Sequence, residues 1–503
     1  MDNALNDGLK RPVYEDDTDS HEMFRVEKDL LGSRKIPQNA RWGVHTARAQ
    51  DNFPISGISV GASPFLVKGM VLVKQAAART NLRLGTLEEW RAEAIDRACQ
   101  DILDNRTLHE EFVVDVMQGG AGTSTNMNTN EVIANVALEL LGKTRGDYNI
   151  LHPNDHVNMM QSTNDSYPTG LHVALLLSLE PLLETLNRLA NSLRAKSAEF
   201  GDVLKLGRTQ LRDAVPMTLG QEFRAFSTTI LSEIANLENV SGQLLSINLG
   251  GTAIGTGITA HPGFGTGATQ ELRRLTGYAF KSAPDLVEAT SDVGAFVSLS
   301  GALKRLALKL SKIAGDFRLL SSGPWAGLGE ISLPAVQAGS SIMPGKVNPV
   351  IPEAVNQVAY LVCGHDLTVT MCAEGSQLQL NPFEPMIAHC LLSSMQCLSN
   401  AVTILTTRCV DGIEADRERC RSYVEGSASI ITALVPRLGY EVCSRLAKRA
   451  SGEKRKILDL LMEEDLLPAG ELAELLRLER LTGAVCKVLG GEPSVIGHGD
   501  GSR

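Results

Sequence analysis

The sequence predicts an all-α fold, an elongated central helical bundle with smaller helical domains at its amino and carboxyl ends. Three observations carry this. Apolar residues recur at alternating four- and three-residue intervals over long stretches, alternating strand patterns are scarce, and small polar segments separate the apolar runs. Four-three spacing averages about 3.5 residues per turn, which keeps one apolar seam turned toward a partner helix. A helix of roughly 25–30 residues is about 40 Å long, and long helices with narrow seams pack as a bundle.

Residues 1–22 are polar and acidic, with Glu15-Asp16-Asp17 and Asp19, and hold little to bury. They read as a mobile tail. Residues 23–162 form a smaller N-terminal domain, and residues 163–418 the central bundle. Its first seam is Leu175, Leu179, Leu182, Leu186, Leu189 and Leu193. Pro181 lies inside it, so a kink or a late helix start is expected there. A second seam runs through Phe226, Ile230, Ile234, Leu237 and Leu244. The third is Leu299, Leu303, Leu306, Leu310, Ile313, Phe317 and Leu320, and the fourth Ile351, Val355, Val358 and Val362. The first of these helices is apolar on more than one side, at Leu175-Leu176-Leu177, and so predicts burial between subunits of a homo-oligomer. Residues 419–503 form the C-terminal domain, whose last ten residues read as a frayed end.

Composition narrows the function. Lys and Arg total 48 against 58 Asp and Glu, a net charge of −10, with no long basic run. Binding to nucleic acid draws on clustered cations, so this balance argues against it. Aromatics are 4% of the chain, too few for base-stacking platforms. The nine cysteines form no C-x-x-C pair and read as small buried thiols of a reducing compartment. No secretory leader is visible, and no apolar stretch reaches the roughly 18–20 residues that span a bilayer. The expectation is a cytoplasmic protein without a membrane partner.

Four polar segments are too long for simple turns. They are Gly119 to Asn128, Gln161-Ser162-Thr163-Asn164-Asp165, Gly207-Arg208-Thr209-Gln210, and Gly339 to Pro349. Hydroxyl and amide groups on an apolar scaffold suit the binding of a carboxylate substrate at the bundle ends. Two look-alikes are set aside. Gly339 to Lys346 is one residue too long for a phosphate loop, and Gly263-x-Gly265-x-Gly267 lacks a preceding strand. His152, His156 and His172 fit no zinc spacing.

Gly339-Ser340-Ser341-Ile342-Met343-Pro344-Gly345-Lys346-Val347-Asn348-Pro349 resembles, without a gap, the signature loop of the aspartase/fumarase superfamily. The similarity extends from about Val26 to about Gly426, through Asp29-Leu30-Leu31-Gly32, Gly43-Val44-His45-Thr46, His152-Pro153-Asn154-Asp155-His156-Val157-Asn158 and Gln377-Leu378-Gln379-Leu380-Asn381. Within the superfamily the chain is more similar to aspartases. It has Ser162-Thr163-Asn164-Asp165 where fumarases have Ser-Ser-Asn-Asp, and Gln210 where fumarases carry a His tied to hydration. Departures from the family pattern are Met159-Met160 in place of a usual Lys-Ser, and Trp325 in place of a usual Arg.

The resemblance implies conversion of L-aspartate to fumarate and ammonium, with hydration of fumarate or a lyase reaction on a substituted aspartate as the alternative. It implies Ser340 as the general base. Thr123, Ser162, Thr163 and Ser341 would hold the β-carboxylate, Lys346 and Asn348 the α-carboxylate, and Asn164, Thr209 and Gln210 the amino group. It implies a homotetramer around a 20-helix core, with each active site shared among three subunits. No organic cofactor is implied, and the divalent-metal activation seen in some members finds no metal site in this sequence.

Overall fold

The structure is a computed structural model that describes residues 23–482. The expected acidic tail, the frayed end and Cys486 lie outside the described residues. The chain opens with an antiparallel hairpin of β1 (Phe24–Asp29) and β2 (Gly32–Pro37). Helices α1 (Val44–Asn52), α2 (Pro64–Arg83), α3 (Glu89–Asp104) and α4 (Thr123–Leu140) follow. The bundle begins with α5 (Thr163–Glu199), after which β3 (Leu204–Thr209) and β4 (Arg212–Thr218) form a second hairpin. Then come α6 (Leu219–Ser241), α7 (Phe264–Thr276), the short α8 (Glu288–Ser291) and α9 (Gly294–Leu320). Two-residue strands at Ser246–Ile247 and Lys281–Ser282 pair in parallel, and Ile331–Ser332 pairs with Glu414–Ala415 antiparallel. Helices α10 (Val350–Glu374), α11 (Glu384–Arg408) and α12 (Arg417–Gly426) lead into short helices ending at Leu481.

Helices α5, α6, α9, α10 and α11 pack on one another as the bundle, with α2 laid against α5. The expected seams are its core. Leu175, Leu182, Leu186, Leu189 and Leu193 are fully buried, as are Leu299, Leu306 and Phe317. Leu244 falls instead in a 3₁₀ turn after α6. One continuous apolar cluster runs from Ala49 to Cys420, and a separate one joins Leu206 to residues between Val424 and Leu481.

Two expectations are corrected. The helix does not start late at Pro181: α5 begins at Thr163 and runs through Pro168 and Pro181. A capping box at Ser162 and Asp165 starts it, and burial of one face along its length holds it helical past the missing N–H groups. Second, two helices, Thr163–Glu199 and Glu384–Gly412, are long and apolar enough by composition to cross a bilayer. Of their most apolar windows, 67% and 56% is buried against neighbouring helices, which marks them as bundle core.

The glycines resembling a dinucleotide loop have a packing cause. A Cβ on Gly265 would lie 2.9 Å from Leu249 O, and one on Gly267 would lie 2.7 Å from Thr80 Cγ2. They let α7 approach its neighbours closely.

Candidate active site

The segment Ser162-Thr163-Asn164 sits at the start of α5, where backbone N–H groups lack helical partners and favour an anion. Ser162 Oγ accepts from Asn164 N at 3.2 Å. Asp165, fully buried, fixes the segment. Its Oδ1 accepts from Ser162 N at 2.9 Å, and its Oδ2 accepts from Gly250 N and Thr252 N at 3.0 Å each. Burial raises the Asp165 carboxyl to about 6, while those three N–H groups pull the other way. The Asn164 amide donates to Ala253 O at 2.7 Å. That turns Asn164 Oδ1 away from Ala253 as a free acceptor, the group an ammonium needs.

Thr123 opens α4 beside this segment, with Gly122 at the N-cap. Gly122 before it has φ +90°, and a Cβ there would strike the Tyr167 ring of α5, with Cγ at 2.5 Å. Thr123 Oγ1 donates to Gly120 O at 2.7 Å, so the hydroxyl must rotate before it can serve a carboxylate.

Beneath lies a polar cluster that the polar-segment reading does not single out. Lys74, on α2 and fully buried, donates from Nζ to Asn126 Oδ1 at 2.6 Å, Asn158 Oδ1 at 2.9 Å and Gln161 Oε1 at 3.0 Å. Asn126 Nδ2 donates in turn to Thr163 Oγ1 at 3.1 Å. Burial pulls the Lys74 ammonium down to about 7, and Asp165 opposes that shift. A lone Lys inside Val71-Leu72-Val73 and Ala76-Ala77-Ala78 is the signal in the sequence that could have found it.

Thr209 and Gln210 occupy the tip of the second hairpin, exposed. Gln210 and Leu211 both have left-handed φ, +54° and +59°, in a two-residue turn. Two non-glycine residues held there store backbone strain, a mark of functional sites. The hairpin is anchored below its tip. Glu330, fully buried, pairs with Arg208 at 2.8 Å and Lys205 at 3.0 Å.

The Ser340 loop lies between Ser332 and α10. Its neck is closed by Gly339 N donating to Lys346 O at 3.0 Å and by Asn348 Nδ2 donating to Gly339 O at 2.7 Å. A Cβ on Gly339 would fall 2.6 Å from Lys346 O, which requires glycine there. One amide hydrogen of Asn348 is therefore structural. Ser340 Oγ accepts from Met343 N at 2.9 Å and Ile342 N at 3.3 Å. Two N–H groups converging on a serine oxygen favour its alkoxide. Ser341 and Lys346 are exposed on the same loop.

The expected residues fall at two ends of the bundle. Helix α5 spans 37 residues, about 55 Å. Thr123, Ser162, Thr163 and Asn164 stand at its start, near His172, whose ring is 4.7 Å from Phe296 at the start of α9. Thr209 and Gln210 follow its end, near Phe200, 5.2 Å from Phe223. Phe317, near the end of α9, stacks on that same Phe223 at 5.7 Å. Helix α10 starts at this end too, since Asn356 Nδ2 donates to Ser311 O of α9 at 2.9 Å. The Ser340 loop therefore opens at the end opposite Thr163. One chain does not bring these residues into one pocket.

Of the two departures, Trp325 is 94% exposed in a loop tied down by Arg419, which donates to Pro324 O at 3.0 Å. Met160 has φ +61°, and its Sδ accepts from His261 N at 3.4 Å. Nothing in the chain explains either substitution. Among the described residues no group of three or more His, Cys, Asp or Glu is placed to hold a metal, and the eight described cysteines are free.

Comparison with known proteins adds the family. Residues 32–364 match the family described as Lyase, and residues 430–483 match Fumarase C C-terminus. An aspartate ammonia-lyase of Pseudomonas fluorescens is 55% identical over 459 residues, covering 91% of this chain and 96% of that enzyme. An aspartate ammonia-lyase of Escherichia coli K12 is 50% identical, covering 91% and 96%. A fumarate lyase:delta crystallin of Brucella melitensis bound to cobalt superposes with a TM-score of 0.88 at 54% identity, over 91% of this chain and 99% of that one. A class II fumarase of Schistosoma mansoni gives 0.85 at 34% identity, over 91% and 98%.

Proposed function

We propose, for a chain that belongs to the lyase family shared by aspartases and class II fumarases, that it removes ammonia reversibly from L-aspartate to give fumarate. The chain is a carbon–nitrogen lyase. The observation that carries the reading is identity of 50–55% with aspartate ammonia-lyases over nine-tenths of the chain. Gln210 at the hairpin tip agrees with it, since a His there would serve water.

The hard step is loss of the C3 proton, because the carbanion beside a carboxylate is far more basic than any side chain. Ser340 takes that proton as an alkoxide, supported by Ile342 N, Met343 N and the Lys346 charge. The electron pair moves into the β-carboxylate and forms an aci-carboxylate dianion. Ser162 and Thr163, at the positive end of α5, with Thr123 and Ser341, donate to its oxygens. The pair then returns to form the double bond as the C2–N bond breaks. Nitrogen leaves with its own bonding pair, and with the proton held by Ser340 it departs as ammonium. Lys346 and Asn348 hold the α-carboxylate, and Asn164, Thr209 and Gln210 orient the amino group. The scheme uses no cofactor.

Such a site needs more than one chain. With its parts at opposite ends of α5, it forms where bundles pack against one another as a homotetramer, each site drawing on three subunits. The apolar side of α10 supports this: Tyr360, Leu361, Leu367 and Met371 are 45–66% exposed in the single chain. The free thiols fit a reducing cytoplasm.

Subunit mixing tests both site and assembly. Ser340→Ala is expected to form tetramers without turnover, and Thr163→Val tetramers that keep about a hundredth of it. Refolded together in equal amounts, random assembly leaves about a quarter of sites with both native residues, so about a quarter of wild-type fumarate formation returns. No recovery from two intact tetrameric variants would contradict the shared site.

A further inference from the structure

The buried Lys74 cluster has no place in the mechanism above, and its geometry gives it one. Three oxygen acceptors at 2.6–3.0 Å favour the charged form of Lys74, which has three N–H donors and no acceptor. The three amide groups around Lys74 must therefore all present oxygen to it, which removes the freedom of each amide to flip. For Asn126 the consequence reaches Thr163. With Oδ1 held by Lys74 at 2.6 Å, Nδ2 is forced toward Thr163 Oγ1 at 3.1 Å. Thr163 Oγ1 thus receives a hydrogen bond from below, and its own proton is left to point outward over the start of α5.

We propose that Lys74 is a positioning residue: by holding Asn126 Oδ1 it sets the direction of the Asn126–Thr163 hydrogen bond, so that the Thr163 hydroxyl is reserved as a donor to the substrate β-carboxylate. This rests on the reading of Thr163 as a β-carboxylate ligand. Without the ammonium the Asn126 amide is free to turn over. Its oxygen then takes the Thr163 proton, and Thr163 presents lone pairs to a carboxylate on which negative charge is growing. The alternative, a cation that merely fills a polar hole, gives Lys74 no link to the Thr163 hydroxyl.

Three variants decide between these. Lys74→Met removes the donor at similar length. Asn126→Asp keeps the Lys74 partner and the shape but can only accept, so it reverses the bond to Thr163. Thr163→Val removes the hydroxyl. Each single variant is expected to lower kcat on L-aspartate by about 10²-fold, the effect of losing one oxyanion donor, with a smaller rise in KM. In the Thr163→Val background, Lys74→Met and Asn126→Asp are each expected to change kcat by less than about threefold, because the proton they steer is gone. Multiplying losses, near 10⁴-fold in the double variants, would overturn the proposal while leaving Thr163 in the site. A wild-type rate for Thr163→Val would overturn the reading of Thr163 itself, and the proposal with it. If Lys74→Met does not fold, the Asn126→Asp cycle decides alone: a folded tetramer with wild-type kcat overturns the proposal.

Discussion

Asp165→Asn tests how the Ser162-Thr163-Asn164 segment is held. The carboxylate takes three backbone N–H groups, from Ser162, Gly250 and Thr252, at 2.9–3.0 Å in a fully buried position. An amide has one oxygen. If that oxygen keeps Gly250 and Thr252, the new NH₂ group meets the Ser162 N–H head-on. One bond to a charged acceptor is lost, at about 1.5–3 kcal/mol, and two buried donors are left facing each other, at about 1–3 kcal/mol. The two surviving bonds also weaken, because a neutral acceptor is roughly half as strong as a charged one. The sum is about 3–6 kcal/mol per subunit, less the desolvation cost that raises the Asp165 carboxyl and that a neutral amide does not carry. For a chain of this length, with m of about 3–5 kcal/mol/M in urea, the midpoint followed by far-UV circular dichroism should fall by up to about 1 M. The same release loosens the start of α5, so kcat should fall alongside. A midpoint within about 0.2 M of wild type together with an unchanged rate would refute the claim that Asp165 holds this segment.

Two further outcomes follow from buried geometry. Gly122→Ala combines φ +90° with a Cβ 2.5 Å from Tyr167 Cγ, so strain and overpacking together should cost about 2–5 kcal/mol and lower kcat. Gly142→Ala, with φ +68° and open space, should cost only about 1 kcal/mol without touching the rate, and equal losses in the two variants would contradict the packing argument. Glu384, buried at the start of α11, has its carboxyl pushed up to about 8 by desolvation, from an ordinary 4.5. A raised carboxyl means the folded state holds its proton more tightly than the unfolded chain. That stability is complete below the unfolded value and is lost as pH rises through the folded one. Wild-type unfolding midpoints should therefore decline relative to Glu384→Gln between about pH 5 and about pH 8 and level off above that, and a constant difference would contradict this.

The bundle was legible because its seams are regular: a four-three repeat leaves little choice of buried face, and Leu175 to Leu193 occupy it. The late start read from Pro181 failed because Pro168 and Pro181 each cost one hydrogen bond, which a helix packed along its length tolerates. The second hairpin was hidden. Its turn is Gln210-Leu211 rather than Asn-Gly, and Pro216 in β4 reads as a strand breaker. The polar segments stood out as stretches rich in hydroxyl and amide groups, although part of their work is local: Ser162 and Asp165 cap α5, and Asn348 closes its own loop. Their separation along α5 was not visible, because spacing in sequence does not say which end of a helix a loop returns to. Lys74 was missed for a related reason. A single cation in an apolar helix declares that it must be satisfied, but its partners, Asn126, Asn158 and Gln161, come from 52 to 87 positions away.

The central claim is the reaction itself, and absorbance at 240 nm tests it most directly. Fumarate formation is followed from L-aspartate, with L-malate run in parallel under the same conditions. The account predicts fumarate from aspartate and none from malate, with the aspartate signal abolished in Ser340→Ala tetramers. Fumarate from malate and none from aspartate would contradict it and make the chain a hydratase despite Gln210.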